Sequence, residues 1–178
     1  LDYEVVVLSN AAAAELGVEV DAAEPGIQAM SGRKGVGVKA DDLIDAMVSR
    51  LTEKVANQHN ANVLASAAIR YFMSRISTGK MIVFDFDEAL RTTGDTGVYC
   101  QYAHARACSI LTKAYPGPQD REALKIRTIP EQVTIPEQDL IKKIAEYPQV
   151  LKKAGQELSP APLAHYAFDL ATVFTDFY

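Results

Sequence analysis

Between residues 41 and 57 the apolar side chains Ile44, Met47, Val48, Leu51 and Val55 recur every three or four positions. That spacing sets them on one stripe of an amphipathic α-helix, behind Asp41 or Asp42 as N-cap. The same period returns along most of the chain. It predicts a second helix at about 61–76, with Leu64, Ala68, Tyr71, Phe72 and Ile76 stacked, and a third at about 97–114 lined by Ala103, Ala107, Ile110, Leu111 and Ala114. Small residues on the third helix permit a close neighbour. Farther on, residues 136–146 and a stretch to about 157 read as two helices broken at Tyr147-Pro148. A last helix opens at Ser159 with Pro160 in its first helical position and carries Leu163, Tyr166, Leu170, Val173 or Phe174, and Phe177 on its stripe. No internal repeat is visible, which argues against a helical solenoid. The predicted fold class is mainly α, a helical bundle.

One segment departs from the helical period. From Tyr3 to Leu8 an alternating pattern gives way to consecutive valines and a leucine, the signature of a strand held inside a sheet. A lone strand needs partners. The other end, "LAHYAFDLATVFTDFY", stops in mid-helix with no capping glycine and no basic residue in its last turn. Together with a first residue that is not Met, these ends predict a piece of a longer protein. Four prolines fall between residues 115 and 139 without a sustained period, so that stretch reads as a connection holding at most a turn or two of helix. Four units are expected: 1–40 with the strand, 41–114 helical, 115–135 Pro-rich, and 136–178 helical again.

Composition narrows the function classes. The 178 residues are 48% apolar and 23% charged, with a net charge of -5, which suits a soluble globular chain rather than a disordered one. No apolar run reaches the roughly 20 residues that span a bilayer, and "LDYEVVVLSN" lacks the basic flank of a signal peptide. A cytoplasmic protein without a membrane partner is expected. The two cysteines, Cys100 and Cys108, lie on one predicted helix about 12 Å apart at its rise per residue. They cannot bridge each other.

Against an acidic total, "AMSGRKGVGVKADDLID" at 29–45 holds Arg33, Lys34 and Lys39 and no acid before Asp41. Gly32, Gly35 and Gly37 let the backbone approach a ligand closely, while Ser31, Arg33 and Lys34 offer a hydroxyl and two cations. This arrangement suits a phosphate clamp, and it also suits a surface loop whose cations are only solvated. It is not a Walker loop, and Gly35-Val-Gly37 alone is no dinucleotide fingerprint.

The residues "MSGRKGVGVKADDLID" resemble the signature loop of class I aminoacyl-tRNA synthetases in the variant used by many arginyl-tRNA synthetases. Met-Ser-Gly-Arg-Lys-Gly there stands for the commoner Lys-Met-Ser-Lys-Ser. "AIRYFMSRISTGKMIVFDFDEALRTTGDTGVYCQYAHARACSIL" is similar to the segment after that loop, and "LAHYAFDLATVFTDFY" is similar to the opening of the family's helical anticodon-binding domain. The likeness is close over roughly 29–113 and looser over 136–178. It implies that 1–40 is the edge of a Rossmann-like catalytic domain, with one remnant strand, and that the bundle is of the anticodon-binding type. It implies a reaction as well: ATP and L-arginine give arginyl-adenylate and pyrophosphate, and arginine then passes to its tRNA. Magnesium accompanies ATP, and no metal is held by the protein.

In that resemblance Met30, Ser31, Gly32, Arg33, Lys34 and Gly35 form the ATP-binding loop, and Ser31, Arg33 and Lys34 are the catalytic candidates. A cation there stabilises charge developing on the phosphates in the transition state. The chain departs from the common motif, with Ala29 where its first lysine would be and Gly32 where the second would be, so the charge is expected from Arg33, from Lys34 or from a lysine outside this sequence. The family's other ATP signature, His-Ile-Gly-His, is not in the sequence, and the chain alone is expected to be inactive. For the helices the resemblance implies contact with arginine tRNA. Tyr99, Gln101, Tyr102 and Arg106 crowd one helix after "TTGDTG", and Tyr178 ends the last; aromatic rings stack splayed bases and arginine reaches phosphate. Tyr166 reads as core. A monomer is expected, with salt-sensitive RNA binding at a local patch.

Other groups read as structural. Cys100, His104 and Cys108 share a helix face, but a structural zinc needs a fourth ligand. Asp85 and Asp87 alternate with Phe84 and Phe86 in what reads as a packed turn with an aspartate capping a short helix. His59 reads as part of a polar connection, and His165 as a partly exposed helix residue without an acid-base partner. Two other functions fit the same residues: a non-catalytic helical RNA-binding module, or another class I synthetase such as one charging cysteine. "QYAHAR" and "FDFDEAL" favour arginine.

Overall fold

The computed structural model describes residues 4–18, 27–28, 37–117 and 132–178. Strand β1 (Val6–Ser9) runs directly into helix α1 (Asn10–Glu15), because Ser9 keeps extended geometry as the N-cap and its Oγ accepts from Ala12 N at 3.1 Å. Beside β1 lie β2 (Ile27–Gln28), antiparallel with Leu8 facing Gln28, and β3 (Ile82–Phe84), parallel with Val7 facing Val83. The sheet order is β2-β1-β3. The valine run thus sits at the centre of a sheet, as its continuous apolar character predicts. Three strands replace the single one expected, since β2 and β3 are two and three residues long and show no alternation.

Two helices, α2 (Ala40–Thr52) and α3 (Gln58–Ser74), bridge the parallel strands and pack on each other. Helix α2 starts behind Lys39, which makes no side-chain cap bond, so Asp41 and Asp42 are first-turn residues rather than caps. Their charge there opposes the positive end of the helix dipole. Val55 falls outside the helix, folded back so that its N–H reaches Leu51 O at 3.0 Å. The second helix begins earlier than its stripe suggested, because Asn57 Oδ1 accepts from Asn60 N at 2.8 Å; His59 is therefore helical, and Ile76 lies past the end.

These pieces close over one apolar core of Leu8, Leu43, Met47, Leu51, Phe72, Phe84 and Phe86 with several alanines. Phe84 meets Phe72 and Phe86 edge-to-face, each at 5.1 Å. Helix α4 (Phe86–Ala89) is capped by Asp85, whose Oδ1 accepts from Glu88 N at 2.9 Å while Oδ2 takes the Ser9 hydroxyl at 2.6 Å. Arg50 closes the outer side, paired with Glu15 and Asp87.

Beyond α4 the chain becomes a helical bundle: α5 (Gly97–Ala114), α6 (Ile135–Ala145), α7 (Tyr147–Glu157) and α8 (Ala161–Phe177). The break at Tyr147-Pro148 falls as predicted, and Thr134 with Glu137 forms a capping box at the start of α6. Pro160 already has helical angles, and Ser159 Oγ accepts from Ala161 N at 3.3 Å. Helix α8 is the hub, touching α5, α6 and α7. Its buried residues are Ala161, Ala164, Tyr166 and Ala171, whereas Leu163, Leu170, Val173 and Phe174 are half-buried and Phe177 is exposed. Tyr166 is core as expected, its hydroxyl donating to Lys143 O at 3.0 Å. On α5 the expected stripe fails at its far end: Leu111 and Ala114 are exposed, and an apolar groove of about 350 Å³ separates Ala103 and Ala107 from Ile144 and Phe174.

Candidate nucleic-acid interface

The turn before α5 fixes where its side chains point. Gly94 holds φ at +82°, a conformation that disfavours any residue with a Cβ, and Thr96 then caps α5 while its hydroxyl donates to Arg91 O at 2.7 Å. Gly97 lies so close to α3 that a Cβ there would stand 2.8 Å from Tyr71 Cβ and 3.1 Å from Ala67 O. Helix α5 is thereby seated against α3 at one end and leans on α8 along its length.

On that helix Tyr102 and Arg106 are one turn apart and share a face. Tyr178, at the end of α8, arrives beside them. The Arg106 guanidinium lies 3.8 Å from the centre of the Tyr178 ring and 5.4 Å from that of Tyr102, and Nη1 donates to the Tyr102 hydroxyl at 3.3 Å. Both tyrosines remain open to solvent, 57% and 61% exposed. A groove of about 410 Å³ adjoins them, lined by Arg106, Ser109, Ile110, Lys113, Ala114 and Tyr178. Two cations and a serine hydroxyl, with no acid among the described lining residues, suit a phosphate, while the exposed ring faces suit stacked bases.

The other two predicted RNA contacts lie elsewhere. Tyr99 shares the face of Arg106 two turns earlier, where α8 covers it: its ring is 5.5 Å from Phe168 and its hydroxyl 3.4 Å from Thr175 Oγ1. Gln101 turns toward α3, into a groove with His59, Asn60 and His104, and its Oε1 is buried with no hydrogen-bond partner among the described residues. The six loop positions Met30, Ser31, Gly32, Arg33, Lys34 and Gly35 lie outside the described residues. Their neighbours in sequence are β2, paired to β1, and α2, seated in the core.

Burial pushes the half-buried Cys100 thiol up. Cys108 Sγ is 3.5 Å from His104 Nε2, and among the described residues no group of three His, Cys, Asp or Glu could hold a metal ion. Asp85 serves as the helix cap its context predicts, and Asp87 pairs with Arg50.

A polar junction at Asp95 escaped the sequence reading. Tyr71 donates its hydroxyl toward Asp95 Oδ1 and toward Ala164 O, the latter at 3.0 Å. Arg75 Nη1 donates to Asp95 O at 2.8 Å, its Nη2 pairs with Glu88, and its guanidinium covers the Phe72 ring at 4.5 Å. His165, for which no acidic partner was expected, has Nδ1 3.5 Å from Asp95 Oδ2. Burial, followed by Asp95, pushes the Tyr71 hydroxyl well above the usual tyrosine range. The only signal in sequence is the pair of glycines bracketing Asp95-Thr96.

Residues 100–178 match the family model described as the DALR anticodon binding domain. Over 159 residues the chain is 39% identical to an arginine–tRNA ligase of Methanosphaerula palustris and 43% identical to one of Methanoregula boonei, in each case across 84% of this chain and 27% of the relative. Among solved structures it is similar to the arginyl-tRNA synthetase of Thermus thermophilus, with a TM-score of 0.73 and 30% identity over 100% of this chain and 27% of that one. The arginyl-tRNA synthetase of Plasmodium falciparum aligns with a TM-score of 0.63 and 27% identity, over 79% of this chain and 26% of that one. The chain thus spans about a quarter of the length of the relatives it matches.

Proposed function

The chain belongs to the arginyl-tRNA synthetase family, and from that premise we propose that it supplies the ATP-phosphate loop and the anticodon-binding helices of an arginine–tRNA ligase. The parent enzyme joins arginine to ATP as an adenylate, releases pyrophosphate, and passes arginine to the 3′ end of its tRNA. Arg33 or Lys34 stabilises charge developing on the phosphates, with Ser31 beside them, while Met30, Gly32 and Gly35 shape the loop. Magnesium enters with ATP. The protein works as a cytoplasmic monomer with arginine tRNA, ATP and L-arginine as its partners.

The observation that carries the RNA half of this reading is the exposed Tyr102–Arg106–Tyr178 cluster, which lies within the stretch matching the anticodon-binding model. Tyr99 supports the α5–α8 contact that presents it, and Gln101 serves a separate face. Arg106→Ala should weaken binding of an arginine-tRNA anticodon stem-loop about tenfold and reduce the salt slope by about 1. For the catalytic half, the parent enzyme should show arginine-dependent exchange of pyrophosphate into ATP that collapses in either Arg33→Ala or Lys34→Ala. Stem-loop binding without exchange under any condition would leave the non-catalytic RNA-binding module as the better reading.

A further inference from the structure

We infer that Asp95 is a positioning residue that ties helix α8 to the sheet whose strand β2 precedes the glycine-rich stretch in sequence, with the Tyr71 hydroxyl proton shared between the two. The inference takes its functional meaning from the reading above, in which α5 and α8 face RNA. It starts from a proton count. Tyr71 has one O–H and two oxygen acceptors in reach, Asp95 Oδ1 and Ala164 O, with the Cys100 thiol also beside it, so it holds α8 or Asp95 but not both at full strength. Because Tyr71 is half-buried, neither acceptor is replaced by water without cost.

From Asp95 the connection continues without a gap. Its backbone carbonyl takes Arg75 Nη1 at 2.8 Å, and Arg75 Nη2 pairs with Glu88. The Glu88 N–H donates to Asp85, and Asp85 takes the Ser9 hydroxyl at 2.6 Å. Ser9 is the residue of β1 that faces Ile27 in β2. At the other end α8 is a continuous helix from Ala161 to Phe177, a rigid element that joins Ala164 to the neighbour of Arg106. A helix shifted by a ligand at Tyr178 alters the distance from Ala164 O to Tyr71, and the Tyr71 proton then moves toward Asp95. Such a discrete bond exchange is what lets one region bias another.

Amide hydrogen exchange on the 178-residue chain tests this, read at Glu88 and at residues 164–168, with Met47 in α2 as the control. Without RNA, Tyr71→Phe should speed exchange about tenfold at 164–168 and several-fold at Glu88, leaving Met47 unchanged. Combining it with Asp95→Ala should add little, because both changes remove the Tyr71–Asp95 bond. A Glu88 rate unmoved by Tyr71→Phe would overturn the inference, as would equal acceleration at Met47, which marks general loosening. Fully multiplicative effects of the two substitutions would overturn it too. In the second arm the probe is an arginine-tRNA anticodon stem-loop. It should alter the Glu88 rate at least threefold in the native chain and leave it unaltered in Tyr71→Phe, which still binds the RNA. Failure of the stem-loop to bind the native chain counts against the proposed function, while the RNA-free arm still decides the junction.

Discussion

The residues around the sheet and those of α5–α8 build their interiors from different side chains. Around β1 the interior holds Leu8, Met47, Phe72, Phe84 and Phe86, and the three phenylalanines interlock edge-to-face. In the bundle the buried apolar side chains are those of Ala103, Ala154, Ala161, Ala164 and Ala171, with Tyr166 as the one large one among the described residues, while Ile135, Ile141, Ile144 and Leu151 are exposed. Burial of apolar area contributes roughly 25 cal/mol per Å², so the first region stabilises itself and the second contributes little per helix. Small residues bring helices close, and polar bonds such as Tyr166 to Lys143 O then set their register. Under the proposed function that arrangement suits RNA contact, since it leaves rings and cations outside.

The largest expected effect falls in the sheet region. Phe84→Ala, at a residue with 0% exposure, should cost about 3–5 kcal/mol through lost transfer energy and a cavity, lowering the thermal midpoint by on the order of 10 °C. A loss under about 1 kcal/mol would erase the contrast between the regions. Next comes the seam. Gly97→Ala drives a methyl against Tyr71 and the α3 backbone, at a cost of about 1–3 kcal/mol; amide exchange should show α5 loosening while Met47 in α2 keeps its protection. Equal loosening of both would mean that the regions unfold as one.

A third test uses acid. Burial pushes the Asp85 carboxyl up, but the Ser9 hydroxyl and the N–H groups of Glu88 and Asp87 outweigh it, so it ionises below the usual carboxylate range. A depressed native value means stability present above the unfolded value of about 4 and lost as pH falls through the native one. Asparagine keeps the helix cap but has no charge. The native chain should exceed Asp85→Asn in urea midpoint by a constant margin from neutral pH to about pH 5, and the margin should shrink on further acidification. A pH-independent margin would remove the charge from the account. The smallest effect is a gain in the bundle: Leu158 ends α7 with φ at 48° and is 67% exposed, so Leu158→Gly relieves a left-handed residue and should add about 1 kcal/mol or less to stability. A loss would mean that Leu158 packs more than its exposure indicates.

Much of the fold was legible because helices and caps are local. The break at Tyr147-Pro148, the start of α5 and the Asp85 cap each follow from residues within one turn of one another. Helix faces were less legible. On α8 the periodic stripe pointed to Leu163, Leu170 and Phe174, yet the close neighbours are met by Ala161, Ala164 and Ala171, since a hub helix in contact on several sides buries its small residues first. Three of the five predicted RNA contacts come together, because Tyr178 reaches Arg106 only through the crossing of α8 over α5.

By itself, then, the sequence determined the helical periods and the position of the buried strand, each dictated by spacing within a dozen residues. Tertiary structure alone decided that Tyr99 is covered while Tyr102 is open, and that Gly97 must be small. It also decided that Tyr71, Arg75, Asp95 and His165 meet at one junction. Those outcomes depend on which helix crosses which, and side chains as far apart in sequence as Tyr71 and Ala164 become partners only when packing brings their atoms within hydrogen-bond reach.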